Sequence, residues 1–366
     1  MLIRLAGLLL IVSFAAMPAR GQQSRPSFAE FIDGVRHEAL GRGIRPEIVE
    51  KAFADVREPQ SVVLERDRAQ AETVLTLEQY IDRRLTVTLM KSGREAFARH
   101  RVLLGEVSAR FGVPADIIAG IWGMESNFGG FSGVRPTIAA LTTLAWDPRR
   151  STFFRGELFD ALEILNRNDI DVSRMRGSWA GAMGQLQFMP SSYLKYAEDY
   201  DGDGRRDIWS SPPDIFASVG SYLKGNGWVE GETWGREVEL REGAAATISA
   251  SVARRAGTCR ATRDMTVALP IARWQELGVR LANGQSLPPD EPDAALVSGR
   301  TRHFLVHRNY DALLEYNCAH SYAVGVGLLA GRVASDDPLP NVRKAKAPAK
   351  ARASKARKPR AKKRAR

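Results

Sequence analysis

The segment PADIIAGIWGMESNFGG, residues 114–130, decides the fold prediction because its apolar residues recur at helical spacing. Pro114 suits the first turn of a helix, and Gly129 and Gly130 are expected to end it. One face of this helix carries four large apolar residues: Ile117, Ile118, Ile121 and Trp122. The next position on that face is Glu125, where the periodicity asks for another apolar side chain.

Glu125 is therefore a candidate for acid/base chemistry at the edge of a cavity. A carboxyl group against an apolar wall has its charged form disfavoured, and this raises its pKa. Such a group holds a proton near neutral pH and delivers it to a leaving oxygen. Periodicity alone supports a second interpretation equally well, in which Glu125 pairs with a buried arginine or caps a neighbouring helix.

A second segment, GSWAGAMGQLQFMP at residues 177–190, is dense in small residues, so its backbone can approach another group closely. It also carries a hydroxyl, amides and aromatic rings, including Ser178, Gln187 and Phe188. This combination suits a sugar, which has hydroxyls at its edge and C–H groups on its faces. The alternative is a tightly packed crossing of two helices.

The rest of the chain divides into a mainly helical part and a β-like insert. Helical patterns cover residues 28–56 with a break at 41–43, and then 75–111, 157–165, 190–196, 214–224 and 322–333. From residue 236 to about residue 309, short apolar runs alternate with Gly, Pro and Asp, as in a small β-containing unit.

The net charge of +11 comes from the C-terminal tail. Residues 343–366 hold 13 of the 53 Lys and Arg residues and no acidic residue, which leaves 40 basic against 42 acidic residues before them. The tail has no aromatic residue and is expected to be disordered. Its positive charges suit anionic lipid, lipopolysaccharide or cell-wall polyanions, and the alternative is a solvated tail that aids solubility.

The N-terminus predicts export. Arg4 precedes an apolar run of about a dozen residues and a small-residue cleavage site near Gly21, the layout of a secretory signal. A short membrane anchor is the alternative. An oxidising compartment also permits a disulfide between Cys259 and Cys318, although their pairing is left open by the sequence.

The loop DYDGDGRRD at residues 199–207 has the order of oxygen ligands found in calcium-binding loops. The candidate ligands are Asp199, Asp201, Asp203, the backbone carbonyl of Arg205, Asp207 and Asp214. Ser210 stands where the usual closing glutamate would lie, so the identity of the closing ligand is open. We expect a structural Ca²⁺, and the alternative is a solvated Asp/Gly turn.

Together these segments resemble the membrane-bound lytic transglycosylase B family and its soluble relatives. The matching motifs lie at residues 122–129, 141–158, 180–193, 199–207 and 315–317, and the resemblance extends from about residue 28 to residue 333. It implies a mainly α fold, with a lysozyme-like helical core, an N-terminal helical domain and a small β-containing insert domain. The expected boundaries are a signal peptide at 1–21, an N-terminal domain at 28–95, a catalytic core at 96–231 with the acidic loop at 199–214, the insert at 232–304, a return to the core at 305–335 and the tail at 341–366.

The resemblance also implies a reaction, the non-hydrolytic cleavage of the β-1,4 bond between N-acetylmuramic acid and N-acetylglucosamine in peptidoglycan. Glu125 matches the family's single acid/base. Five residues fall where the family contacts glycan or acetamide: Ser178, Gln187, Tyr222, Tyr316 and Asn317. Tyr80 is matched by spacing alone.

These features predict a periplasmic, monomeric enzyme whose partner is the glycan strand, with no nucleic-acid partner. Two other hypotheses stay open at this point. One is a muramidase that hydrolyses the same bond. The other is a non-catalytic, calcium-stabilised protein that binds cell wall or polyanions.

Overall fold

A computed structural model describes residues 25–69 and 75–338; the predicted signal peptide and basic tail lie outside the described residues. Helices dominate the first half: α1 Phe28–Gly41, α2 Pro46–Phe53, α3 Ser61–Ala69, α4 Leu77–Arg84, α5 Val87–Arg99, α6 Arg101–Phe111, α7 Ala115–Ser126, α8 Thr137–Trp146 and α9 Ser151–Asn166. A two-residue ladder joins β1 Arg135–Pro136 to β2 Arg176–Gly177. Within the two described ranges, no helix has the length and apolarity that a bilayer span requires.

The second half adds helices and one sheet. The helices are α10 Pro190–Tyr196, α11 Pro212–Gly225, α12 Ala244–Ser251, α13 Arg260–Asp264, α14 Ile271–Glu276, α15 Asn309–Tyr316 and α16 His320–Ala334. The strands are β3 Gly235–Leu240, β4 Val279–Leu281, β5 Ala295–Ser298 and β6 His303–Val306. The predicted mainly helical pattern and its break at residues 41–43 are confirmed.

The first three helices pack against α8 and α9. α1 starts with a capping box, in which Ser27 and Glu30 each satisfy a backbone N–H of the other. On α3, the buried Asp67 accepts hydrogen bonds from Arg150 and, at its backbone carbonyl, from Arg149. These contacts hold the N-terminal helices on the same apolar core as the later helices. Among the described residues, that core continues across residue 95, where the N-terminal domain was predicted to end.

Helices α7 and α16 pack face to face at the centre of the molecule. At Gly120 a Cβ atom would lie 2.9 Å from the backbone oxygen of Val326, so the two helices approach closely only because this residue is glycine. α4 and α5 pack against α16 from the side. The C-terminal end of α7, which carries Glu125, is thereby held between α4 and the first turn of α16.

The insert is an antiparallel four-stranded sheet, in the order β4-β3-β6-β5, covered by three short helices. It has a small core of its own around Trp274, which is fully buried and donates its indole N–H to the Ala294 carbonyl at 2.7 Å. The sequence pattern indicated the strands but not helices α12 to α14, because these are only five to eight residues long. β6 also extends to Val306, two residues past the predicted border.

Several contacts fasten the insert to the helical body. Arg255 of the insert donates to both carboxylate oxygens of Asp311 on α15, at 2.7 and 2.9 Å. Cys259 at the start of α13 forms a disulfide with Cys318, between α15 and α16, with the Cα atoms 5.9 Å apart. On α4, Glu78 accepts the backbone N–H groups of Thr301 at 2.9 Å and Arg302 at 3.2 Å. Burial alone would raise the pKa of Glu78, but these backbone hydrogen bonds lower it to about 2, so the carboxylate stays charged.

Candidate active site

Glu125 lies in the last turn of α7 and is partly exposed. The helix ends at Ser126, three residues before the predicted glycine stop. It ends there because Asn127 adopts the left-handed conformation, with φ of 53°, and caps the helix by donating its N–H to the Gly123 carbonyl. The Ser126 hydroxyl then accepts the N–H of Gly129 at 3.1 Å and orders the turn that follows. The predicted helix is confirmed, with this correction to its end.

The surroundings of Glu125 favour its protonated form. Burial raises the pKa of its carboxyl group to about 7, although the Tyr322 hydroxyl and the positive charge of Arg84 both act to lower it. Glu125 makes no ion pair with any described residue, and no second carboxylate contributes to its pKa. The interpretation of Glu125 as the partner of a buried arginine therefore finds no support in the described ranges.

Three tyrosines from three helices surround this carboxyl group: Tyr80 on α4, Tyr316 at the end of α15 and Tyr322 on α16. Burial raises the pKa of each, and the negative charge of Glu125 raises it further, so all three hydroxyls stay neutral. The Tyr322 side chain is buried, and its hydroxyl has no hydrogen bond of normal geometry with any described group. The effect of this hydroxyl on the pKa of Glu125 shows that it faces the carboxyl group.

The rings of Tyr316 and Tyr222 pack together, with their centroids 4.6 Å apart. We call this pair of rings beside the Glu125 carboxyl group the tyrosine wall. Their hydroxyls hold the wall in place: Tyr316 donates to the Leu186 carbonyl at 2.8 Å, and Tyr222 donates to the Glu315 carbonyl at 2.7 Å. Phe188 packs against both rings. The segment at residues 177–190 therefore meets the end of α15 beside Glu125.

Within that segment, the predicted polar residues shape the backbone. The Ser178 hydroxyl accepts the N–H groups of Ala180 and Ala182, each at 3.2 Å. Gln187 has φ of 52° and donates its side-chain amide to the Gly184 carbonyl at 2.9 Å. The segment is an ordered loop and not the crossing of two helices that was the alternative.

Gln185 fastens this loop to α7, a role that the sequence pattern did not reveal. Its side-chain oxygen accepts the indole N–H of Trp122 at 2.7 Å, and its amide donates to the Trp209 carbonyl at 2.8 Å. Trp122 lies one turn before Glu125 on the same helix face. Asn317, in contrast, is exposed just after α15, beside the disulfide-bonded Cys318.

The acidic loop follows α10 and brings three carboxylates together. Oxygens of Asp199, Asp201 and Asp203 all lie within 4.8 Å of one another. Such a set of charged oxygens fits a hard cation such as Ca²⁺. Asp199 also accepts the N–H groups of Gly202 at 2.8 Å and Gly204 at 2.9 Å, which bends the loop around the cluster.

The structure does not bring Asp207 and Asp214 into this cluster. Asp207 accepts hydrogen bonds from Arg174 at 3.3 Å and from the Ser210 hydroxyl. Asp214 is buried, and its two oxygens accept the backbone N–H groups of Tyr200 and Asp207, each at 2.8 Å. These two carboxylates set the shape of the loop, while Arg205 donates its backbone N–H to Asp203 at 2.9 Å.

The chain is similar to known proteins in both sequence and fold. The family model described as the transglycosylase SLT domain matches residues 27–331, and the chain belongs to this family. SltB3 from Pseudomonas aeruginosa, solved in complex with NAG-anhNAM-pentapeptide, is 41% identical with a TM-score of 0.75, over 83% of this chain and 78% of that one. Its likeness confirms the predicted lysozyme-like, mainly helical fold class.

Two proteins from Escherichia coli are also similar. The membrane-bound lytic murein transglycosylase B of strain K12 is 45% identical over 123 residues, which is 33% of this chain and 34% of that protein. The match thus spans about a third of that relative's length. The lytic transglycosylase Slt35, solved in complex with calcium, is 26% identical with a TM-score of 0.68, over 85% of this chain and 93% of that one.

Proposed function

We propose that this chain is a lytic transglycosylase that cleaves the β-1,4 bond between N-acetylmuramic acid and N-acetylglucosamine in peptidoglycan and leaves a 1,6-anhydro end. The observation that carries the proposal is the lone carboxyl group of Glu125, whose pKa burial raises to about 7. Paired-carboxylate glycosidases need a second acid as nucleophile or as base for water. Among the described residues, no second carboxylate faces Glu125 closely enough to affect its pKa.

A single carboxyl group is sufficient if the sugar supplies its own nucleophiles. Glu125 donates its proton to the departing O4, while the N-acetyl oxygen of the muramoyl residue attacks C1 and the C1–O4 bond breaks. The resulting carboxylate then takes the proton of the C6 hydroxyl, whose oxygen bonds to C1 and displaces the acetamide. The proton returns to Glu125, and no water is consumed.

The tyrosine wall supports the second step. An intramolecular attack by the C6 hydroxyl has a high effective molarity when the sugar is held in one orientation. Tyr80 and Tyr316 are partly exposed and offer ring surfaces for the sugar faces, and the buried Tyr222 packs against Tyr316. The fixed hydroxyls of Tyr222 and Tyr316 keep their rings in place. We assign substrate contacts to these residues and to Ser178, Gln187 and Asn317, whose neutral side chains add no charge to the site.

The products distinguish this reaction from hydrolysis. Incubation of purified peptidoglycan with the protein is expected to release muropeptides that end in 1,6-anhydro-N-acetylmuramic acid. Mass spectrometry separates these from hydrolysis products, which are heavier by one water. Muropeptides that end predominantly in reducing N-acetylmuramic acid would instead identify a hydrolysing muramidase.

We also propose that the loop at residues 199–214 binds a structural Ca²⁺, held by Asp199, Asp201 and Asp203. Their clustered carboxylates repel one another, and a bound divalent cation relieves that repulsion. The loop lies between α10 and α11, and α11 carries Tyr222. A bound ion would supply rigidity to this side of the site and take no part in the proton transfers.

Calcium is expected to stabilise the fold. Free Ca²⁺ at a hundredfold excess over its dissociation constant would stabilise the folded state by about 2.7 kcal/mol, and thermal unfolding with and without chelator measures the change. Asp203→Asn keeps the acceptor for the Arg205 N–H but removes the charge, and it should abolish most of the shift. Asp290→Asn, at an exposed position of the insert, is the matched control. An equal calcium shift in wild type and Asp203→Asn would exclude this site.

The cellular setting is proposed from the sequence. Export through the segment at residues 1–21 would place the protein in the periplasm, as a monomer, where peptidoglycan is its partner. The basic tail at 341–366 would add attraction to anionic lipid, lipopolysaccharide or cell-wall polyanions.

A further inference from the structure

Arg84, the last residue of α4, reaches across to the C-terminal end of α7. Its guanidinium donates to the Asn127 side-chain oxygen at 2.7 Å, to the Gly123 carbonyl at 2.9 Å and to the Met124 carbonyl. The carbonyls in the last turn of a helix lack partners within the helix and carry the negative end of its dipole. The Gly123 carbonyl also accepts the N–H of the capping Asn127, whereas the Met124 carbonyl accepts from Arg84. A planar cation with several donors satisfies both needs, so Arg84 closes the turn that carries Glu125.

The position of these contacts bears directly on Glu125. The two carbonyls belong to the residues at positions 123 and 124, and the side-chain oxygen belongs to the residue at 127, so the three acceptors bracket Glu125 in the chain. Arg84 is engaged by α7 itself and makes no ion pair with Glu125. The carboxyl group therefore has a permanent positive charge nearby without being locked to it.

We propose that Arg84 is a positioning residue for the lytic reaction, which fixes the last turn of α7 so that the Glu125 carboxyl group points at the glycosidic oxygen. The proposal rests on the proposed function of Glu125. Arg84 acts through α7 and needs no contact with substrate. Arg84 also links α7, which carries Glu125, to α4, the short helix that carries Tyr80.

A second consequence concerns the charge of Arg84. Its positive charge opposes the effect of burial and lowers the pKa of Glu125, whereas Tyr80, Tyr316 and Tyr322, which also face that carboxyl group, are neutral. Loss of the charge raises the pKa of Glu125. Because the first step needs protonated Glu125, the fall of kcat/KM at alkaline pH then moves to higher pH.

Two substitutions separate geometry from charge. Arg84→Gln keeps one amide donor and loses the charge, while Arg84→Lys keeps the charge and loses the planar set of donors. We expect both to lower kcat by about tenfold or more, because a small misplacement of a catalytic group is costly, with KM changed less than twofold. Only Arg84→Gln should move the alkaline limb of the pH profile upward, by about half a pH unit or more.

Arg83 provides the matched control, since it is the preceding residue on α4 and is exposed. Arg83→Gln should match wild type in kcat, KM and pH profile. Rates are measured on soluble, folded protein by release of anhydro-muropeptides. If both Arg84 variants keep the wild-type kcat and alkaline limb, or lose only thermal stability, Arg84 is a structural cap and the inference is wrong. If Glu125→Gln is itself active, the proposed function has failed instead, independently of Arg84.

Discussion

Replacing Glu125 with glutamine is expected to abolish lytic activity, with a loss of about a thousandfold or more in kcat, while the fold is retained. Glutamine has the shape of protonated glutamic acid but can neither donate a proton to O4 nor accept one from the C6 hydroxyl. Both proposed steps therefore lose their only acid/base. Release of anhydro-muropeptides from purified peptidoglycan measures the effect.

The stability of this variant should be equal to or above that of wild type. Because the surroundings of Glu125 disfavour its charged form, its ionisation above pH 7 costs stability, and glutamine removes that charge. Thermal unfolding checks this point and excludes misfolding as the cause of inactivity. Glu106→Gln on α6, an exposed position, is the matched control and should keep full activity. Substantial residual cleavage by Glu125→Gln would mean that another group transfers the proton.

The helical framework could be predicted because its apolar residues repeat at helical spacing and its ends carry Pro or Gly. The starts of α2 and α10 at Pro46 and Pro190 are examples. Glu125 stood out for the same reason, since one polar residue interrupted an otherwise apolar face. Local periodicity is a strong signal where a helix buries one continuous stripe.

Three parts of the site were missed because they depend on which helices meet. Tyr322 looks like an ordinary apolar position of α16, and only the packing of α16 on α7 turns its hydroxyl toward Glu125. Arg84 and Gln185 are common polar residues whose partners lie 24 or more positions away along the chain. Spacing within one segment carries no information on such contacts.

In the acidic loop, the local sequence predicted more ligands than the structure brings together. Its order of residues predicted six ligands, and the structure clusters Asp199, Asp201 and Asp203 but uses Asp207 and Asp214 to hold the loop backbone. A motif defines which residues are near each other in sequence. Whether an oxygen faces a cation or an N–H group depends on the turn that the backbone makes.

Removal of the disulfide between Cys259 and Cys318 is expected to lower the free energy of unfolding strongly. The bond joins Cys259 to Cys318 across 59 residues, and loop closure of that length stabilises the folded state by about 4 kcal/mol. Cys259→Ser combined with Cys318→Ser should therefore lower the midpoint of denaturant unfolding strongly. The chain has only these two cysteines, so a reducing agent added to wild type should reproduce the effect and leave the double variant unchanged.

The same bond should matter to the reaction, because Cys318 directly follows Asn317 and lies two residues from Tyr316. Without the disulfide, the Tyr316 hydroxyl still donates to the Leu186 carbonyl. We therefore expect the Tyr316 ring to become more mobile but to keep its position in the site. The predicted signature is a KM for peptidoglycan that rises several-fold while kcat changes less, since Glu125 on α7 does not depend on the insert. Equal unfolding midpoints for wild type with and without reducing agent would show that the other contacts, among them the Glu78 hydrogen bonds and the Arg255–Asp311 ion pair, hold the insert to the helical body without the disulfide.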